Sequence, residues 1–175
     1  MNSKLDDTTR DAIDFINTLC EDGLIDWPID FEPAAFSDQE LAETFGHWFG
    51  GQRWSEAGDS FVQFGQDGTG SMFLLWYYPG LSTRPPVVFL GSEGATSLVA
   101  NDIEDFIRQL ASGKQFFDGD WLEPDEDEDR ELDWQALAQA VDARFGLGDE
   151  TPEQLTDKAR REHPDFDQWV ALKVE

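Results

Sequence analysis

Met72-Phe73-Leu74-Leu75-Trp76-Tyr77-Tyr78 is apolar or aromatic at every position. In a strand, successive side chains point to opposite faces, so a run like this cannot lie on a sheet with one face in water. It predicts a central strand covered, at least in part, on both sides. Its neighbours extend the pattern. Phe61-Val62-Gln63-Phe64 precedes it as a short strand, and Gly65 to Gly70 connects the two. Asp67-Gly68 in that connection supplies the positive φ that a hairpin needs. Val87-Val88-Phe89-Leu90 follows as another buried strand, and Thr96-Ser97-Leu98-Val99-Ala100 as a fourth. Pro79-Gly80, Pro85-Pro86 and Gly91-Ser92-Glu93-Gly94 mark the connections. Four strands with short links predict an antiparallel meander over residues 61–100 rather than βαβ units.

Helical periods flank the meander. Residues 7–20 place Ala12, Ile13, Ile16, Leu19 and Cys20 on one face, and Gly23 can close that helix. Ser37-Asp38-Gln39-Glu40 is a capping box, with Phe36 and Leu41 at the staple positions. It predicts a second helix with Leu41, Phe45, Trp48 and Phe49 as its apolar face. Asn101, with Glu104 three residues on, predicts the cap of a third, whose stripe is Ile103, Phe106, Ile107 and Leu110. A fourth helix is expected over residues 131–145. Thr151-Pro152-Glu153-Gln154 starts a fifth, with Pro at the first helical position. Pro164 stops it, and a last turn carries Phe166, Trp169 and Val170. Helices, meander, helices is an α+β arrangement. Trp48, Phe61, Phe64, Phe73, Trp76 and Phe89 sit at core spacing.

Charge then divides the chain. The 175 residues carry 38 acids and 12 bases, a formal net charge of −26. Residues 1–60 hold net −11, residues 61–117 only −2, and residues 118–175 net −13. The near-neutral middle is the strand-rich part. Aromatic residues at 13% argue against a disordered chain despite the charge. From Asp118 to Asp133 there are ten acids and a single base, Arg130. Such a block repels itself and predicts an extended, solvated loop. The expected layout is an α+β domain over residues 1–117, an acidic loop over 118–133, and a C-terminal helical extension over 134–175 packed on the same domain.

The same charge excludes partners. Nucleic-acid backbones need a basic surface, and anionic membranes repel an acidic one. No apolar run approaches the length of a membrane span. Met1 to Asp14 is polar and acidic, so no signal peptide is expected. A lone cysteine, Cys20, permits no internal disulfide and suits a reducing cytoplasm.

Motifs for chemistry fail on spacing. A calcium loop starting at Asp125 has acids at its first, third and fifth positions, but Arg130 and Ala136 stand where Gly and Glu are required. His47, His163 and Cys20 have no zinc-pair spacing. Gly91-Ser92-Glu93-Gly94 lacks the first glycine of a nucleophile elbow, because Leu90 occupies it. Gly65 to Gly70 is followed by neither Lys-Ser/Thr nor a helix start, so it cradles no phosphate. No catalytic residue, metal site or cofactor is assigned.

The stretch from Trp54 to Gly113 resembles the SUKH superfamily. The pattern is Phe64-Gly65-Gln66-Asp67-Gly68-Thr69-Gly70 leading into Met72–Tyr78. Pro86-Val87-Val88-Phe89-Leu90, Gly91-Ser92-Glu93-Gly94, Val99-Ala100 and Asp102-Ile103-Glu104-Asp105-Phe106-Ile107 follow. The resemblance implies a domain without catalytic residues, of the kind whose bacterial members commonly neutralise a cognate toxin by binding it.

The functional expectation is therefore a non-catalytic, cytoplasmic binding module, most concretely an immunity protein that occludes a basic toxin. An acidic surface would steer such a partner and occupy a site meant for phosphate. The candidate contact residues are Asp118, Asp120, Trp121, Glu123, Asp125, Glu126, Asp127, Glu128 and Asp129, with Trp54 and Tyr78 as aromatics near loops. The alternative is a carboxylate-based hydrolase, with a divalent ion in the acidic loop as an option. The oligomeric state is left open.

Overall fold

A computed structural model describes residues 5–35, 40, 61–117, 119–129 and 132–174. The expected meander is present: β2 (Phe61–Gln66), β3 (Met72–Trp76), β4 (Val87–Leu90) and β5 (Thr96–Ala100) pair in chain order, each antiparallel to the next. A two-residue strand, β1 (Glu32–Pro33), adds a fifth member on the β2 edge. β3 is central, as its two-sided apolarity requires, and all five of its residues are buried. The fold is α+β. The capping box at Ser37 and the helix expected after it, Trp48 included, lie outside the described residues.

Alternation along the strands sends side chains into two cores. One face carries Val62, Phe64, Phe73, Leu75, Val87, Phe89 and Val99. Helices α1 (Asp7–Glu21), α2 (Ile103–Leu110) and α4 (Trp134–Phe145) cover it through Ile16, Phe106, Leu137 and Val141 among others. Phe31 joins this core with its ring lying so close over Gly65 that a Cβ there would collide with it. The opposite face carries Phe61, Met72, Leu74, Trp76, Val88, Leu90 and Leu98. It is covered by α5 (Pro152–Glu162) and α6 (Phe166–Val174), through Ala159, Phe166 and Trp169. Trp76 makes ring contacts with Phe166 at 5.1 Å and Trp169 at 5.6 Å. The C-terminal helices are thus the second layer of the core.

Polar side chains tie the layers. Gln109 on α2 is fully buried, and its Nε2 donates toward Val99 O at 3.0 Å, Pro152 O at 3.1 Å and Thr156 Oγ1 at 3.1 Å. Thr156 in turn donates to Val99 O at 2.7 Å. Arg108 reaches the carbonyls of Phe145 and Gly146 at the end of α4, where a helix leaves acceptors unpaired. The cap at Thr151 forms as expected, with Gln154 closing the reciprocal bond. The cap of α2 is Asp102, not Asn101: Asp102 Oδ1 accepts from Asp105 N at 2.8 Å. Asn101 stands one residue too early and its side-chain oxygen serves His163 instead. No helix among the described residues is long and apolar enough to cross a membrane.

Candidate functional site

The acidic segment is more ordered than an extended loop. Gln115–Phe117 forms β6 and Asp120–Leu122 forms β7, an antiparallel hairpin with register Gln115↔Leu122, Phe116↔Trp121 and Phe117↔Asp120. A one-turn helix, α3 (Glu126–Asp129), follows. The physical reason is alternation around the Asp118-Gly119 dipeptide. Phe116 and Trp121 point inward and need cover, whereas Asp120 points outward and stays hydrated. Repulsion among solvated acids is screened within about 8 Å at physiological salt, so burial of two aromatics overrides it. Gly119 has φ +101°, a conformation that favours glycine, and lies against the Ser97 hydroxyl on β5, which a side chain there would have to displace.

The hairpin is fixed by its inner face. Phe116 meets Phe89 at 5.0 Å, Trp121 at 5.1 Å and Phe73 at 5.7 Å. Trp121, expected as a contact residue, is 9% exposed and belongs to the core. Its outward neighbours are the exposed ones: Phe117 at 63% and Leu122 at 42%. The sequence reading missed both, although Phe116-Phe117-Asp118-Gly119-Asp120-Trp121-Leu122 carries the hairpin signal of an Asp-Gly pair inside alternating aromatics. The overlapping run of acids masks that signal.

Of the remaining expected residues, Asp120, Glu123, Asp125, Glu126 and Asp127 are exposed. Glu128 and Asp129 belong to α3. Trp54 and Asp118 lie outside the described residues. Glu123 is 3.8 Å from Lys114, which also bonds Glu153 at 2.7 Å. That pairing raises the Lys114 ammonium and lowers the Glu153 carboxyl from their ordinary values, the direct hydrogen bond being the main cause in both. Tyr78 sits apart from the hairpin, half-buried, with its hydroxyl 2.6 Å from His163 Nδ1. His163 Nε2 is 2.9 Å from Asn101 Oδ1. An amide oxygen only accepts, so Nε2 carries the proton and Nδ1 accepts from the Tyr78 hydroxyl. Burial lowers the His163 imidazole below its ordinary value and, with Asp165 adding, raises the Tyr78 phenol. The imidazole is neutral and both nitrogens are engaged.

A cleft of about 430 Å³ lies beside Cys20, lined also by Asp26, Trp27, Asp30 and Glu32. Each carboxylate there accepts from a neutral donor: Asp26 from Trp27 N, Asp30 from Gly68 N, Glu32 from Gln66 Nε2. The Cys20 thiol is pushed up to about 12, by burial first and then by Asp26 and Glu21. A thiol of that kind stays protonated at neutral pH and is a poor nucleophile. Among the described residues no group of three His, Cys, Asp or Glu side chains is placed to hold a metal ion. No family model, curated protein or solved structure matches the chain.

Proposed function

We propose that the chain is a non-catalytic protein-binding module of the cytoplasm, and that its partner is a basic toxin which it occludes. The observation that carries the reading is the placement of charge. Residues 61–117 supply most of the sheet at net −2, while residues 118–175 carry net −13, with Asp120, Glu123, Asp125, Glu126 and Asp127 exposed beside the hairpin. A field of one sign on the outside of a neutral core raises the encounter rate with a partner of the opposite sign. The SUKH-like run of residues 54–113 supports the immunity role, and the single cysteine suits a reducing compartment. The alternative, a carboxylate-based hydrolase with a divalent ion in the acidic loop as an option, draws no support from any cluster of metal-ligating side chains among the described residues.

The test is affinity capture of the tagged full-length chain from its own cells, at about 0.1 M and 0.5 M salt, with each partner then expressed alone. The reading expects a partner with a strongly basic sequence that leaves at the higher salt, as screening requires. Expressed alone, that partner should arrest growth, and this chain should relieve the arrest. A set of partners that is entirely acidic, or a basic partner whose toxicity this chain does not relieve, would contradict the reading.

A further inference from the structure

The hairpin presents two apolar side chains to water on a support packed into the core. Phe117 and Leu122 are both exposed, and on an antiparallel ladder they lie on the same face. They are diagonal neighbours, about 7–8 Å apart between Cα atoms. Their support is packed: Phe116 on the reverse face lies against Phe73 and Phe89, and Trp121 lies against Phe116. Asp120 stands directly across from Phe117 on the same face, and Glu123 follows Leu122. An apolar centre with a charged rim is the anatomy of a protein contact, in which a large side chain anchors dissociation and rim charge governs approach.

The charge selects the occupant. A second copy would bring its own C-terminal third, net −13, against this one. Nucleic acid and anionic lipid carry the same sign as the rim. We propose that the outer face of the β6–β7 hairpin, with Phe117 as anchor and Leu122 beside it, docks a basic protein through an apolar socket ringed by lysines and arginines. This rests on the binding reading above and adds where the contact is made.

The test places photoreactive p-benzoylphenylalanine at position 117 of the full-length chain in its own cells, with position 167 on α6 as the control on the opposite side of the sheet. The partner identified from the position-117 adduct is then purified and titrated against the parent and two variants. A basic protein should crosslink at 117 and not at 167. Phe117→Ser/Leu122→Ser should weaken its binding roughly tenfold or more, mainly through faster dissociation, as truncating an anchor does. The melting temperature should stay put, since both side chains are already in water. Asp120→Lys, which keeps the apolar pair, should slow association at low salt and match the parent at high salt. A basic partner that crosslinks at 167 alone, or that binds the double variant as tightly as the parent, overturns the docking face and leaves the binding reading standing. Adducts only with acidic proteins or with this chain itself, or no adduct at either position, overturn both.

Discussion

Gln109 shows how one side chain can join three elements. Its amide lies between β5, the start of α5 and Thr156, with no exposure to water. Gln109→Leu keeps the volume but removes the Nε2 donations to Val99 O, Pro152 O and Thr156 Oγ1, and with them the buried Oε1 that has no partner, a net loss of about 0.5–1.5 kcal/mol. Urea unfolding should show a lower midpoint with an unchanged slope; an unchanged midpoint would mean the amide contributes nothing net. His163 makes a pH-dependent contribution. Its folded value is lowered, so the contribution is complete above the ordinary imidazole value of 6.5 and is lost as pH falls through the lower folded value. The stability gap between the parent and His163→Gln should therefore be constant above pH 7 and shrink below about pH 6. Carboxylate titrations occur in both proteins and drop out of the difference. A gap that is flat with pH would remove His163 from the account. Neither role was legible in the sequence. A glutamine inside a helix stripe and a histidine before a proline read as ordinary polar residues until the fold brings Val99 and Asn101 to them.

At the scale of elements, the sheet was readable because its signals are local. Apolar runs bounded by Gly and Pro give strands, and their short links give the meander. The role of the C-terminal helices was less readable, because coverage of a sheet face is a long-range property. α5 looks polar, and its contribution to the core comes through small or few side chains such as Leu155 and Ala159. The hairpin of residues 115–122 was hidden by the charge run that overlaps it, although its Asp-Gly pair and aromatic alternation were present. Two predictions belong to this scale. Trp76 is 1% exposed between the sheet and α6, so Trp76→Asp places a charge among Phe166, Trp169 and Met72. The cost should be about 3–5 kcal/mol, read as a collapse of the thermal transition. A melting temperature near the parent's would mean that the tryptophan is not packed there. Deleting residues 149–175 uncovers seven apolar side chains of the sheet, from Phe61 to Leu98. The shortened chain should bind a hydrophobic dye and lose cooperative unfolding, whereas a dispensable appendage would leave the transition intact.

For the whole molecule, the organising fact is the separation of charge from core. Spread evenly over roughly 8,600 Å² of surface, the expected area for this mass, the net charge of −26 would be tolerable because salt screens it within about 8 Å. It is not spread evenly, and the hairpin that leads into the acidic segment exposes Phe117 and Leu122. The central claim is that this acidic field steers a basic protein onto the chain. The most direct measurement is the association rate with that partner by stopped flow, for the parent and for Asp120→Asn/Glu123→Gln/Asp127→Asn. Those three side chains are exposed, and the Glu123 pair with Lys114 at 3.8 Å is a surface contact worth little, so the variant should keep the parent's melting temperature. Raising salt from about 0.05 M to 0.5 M should slow the parent roughly tenfold or more, and the variant should start slower and converge with it at high salt. Equal rates for parent and variant at low salt, or a parent rate indifferent to salt, would contradict the claim.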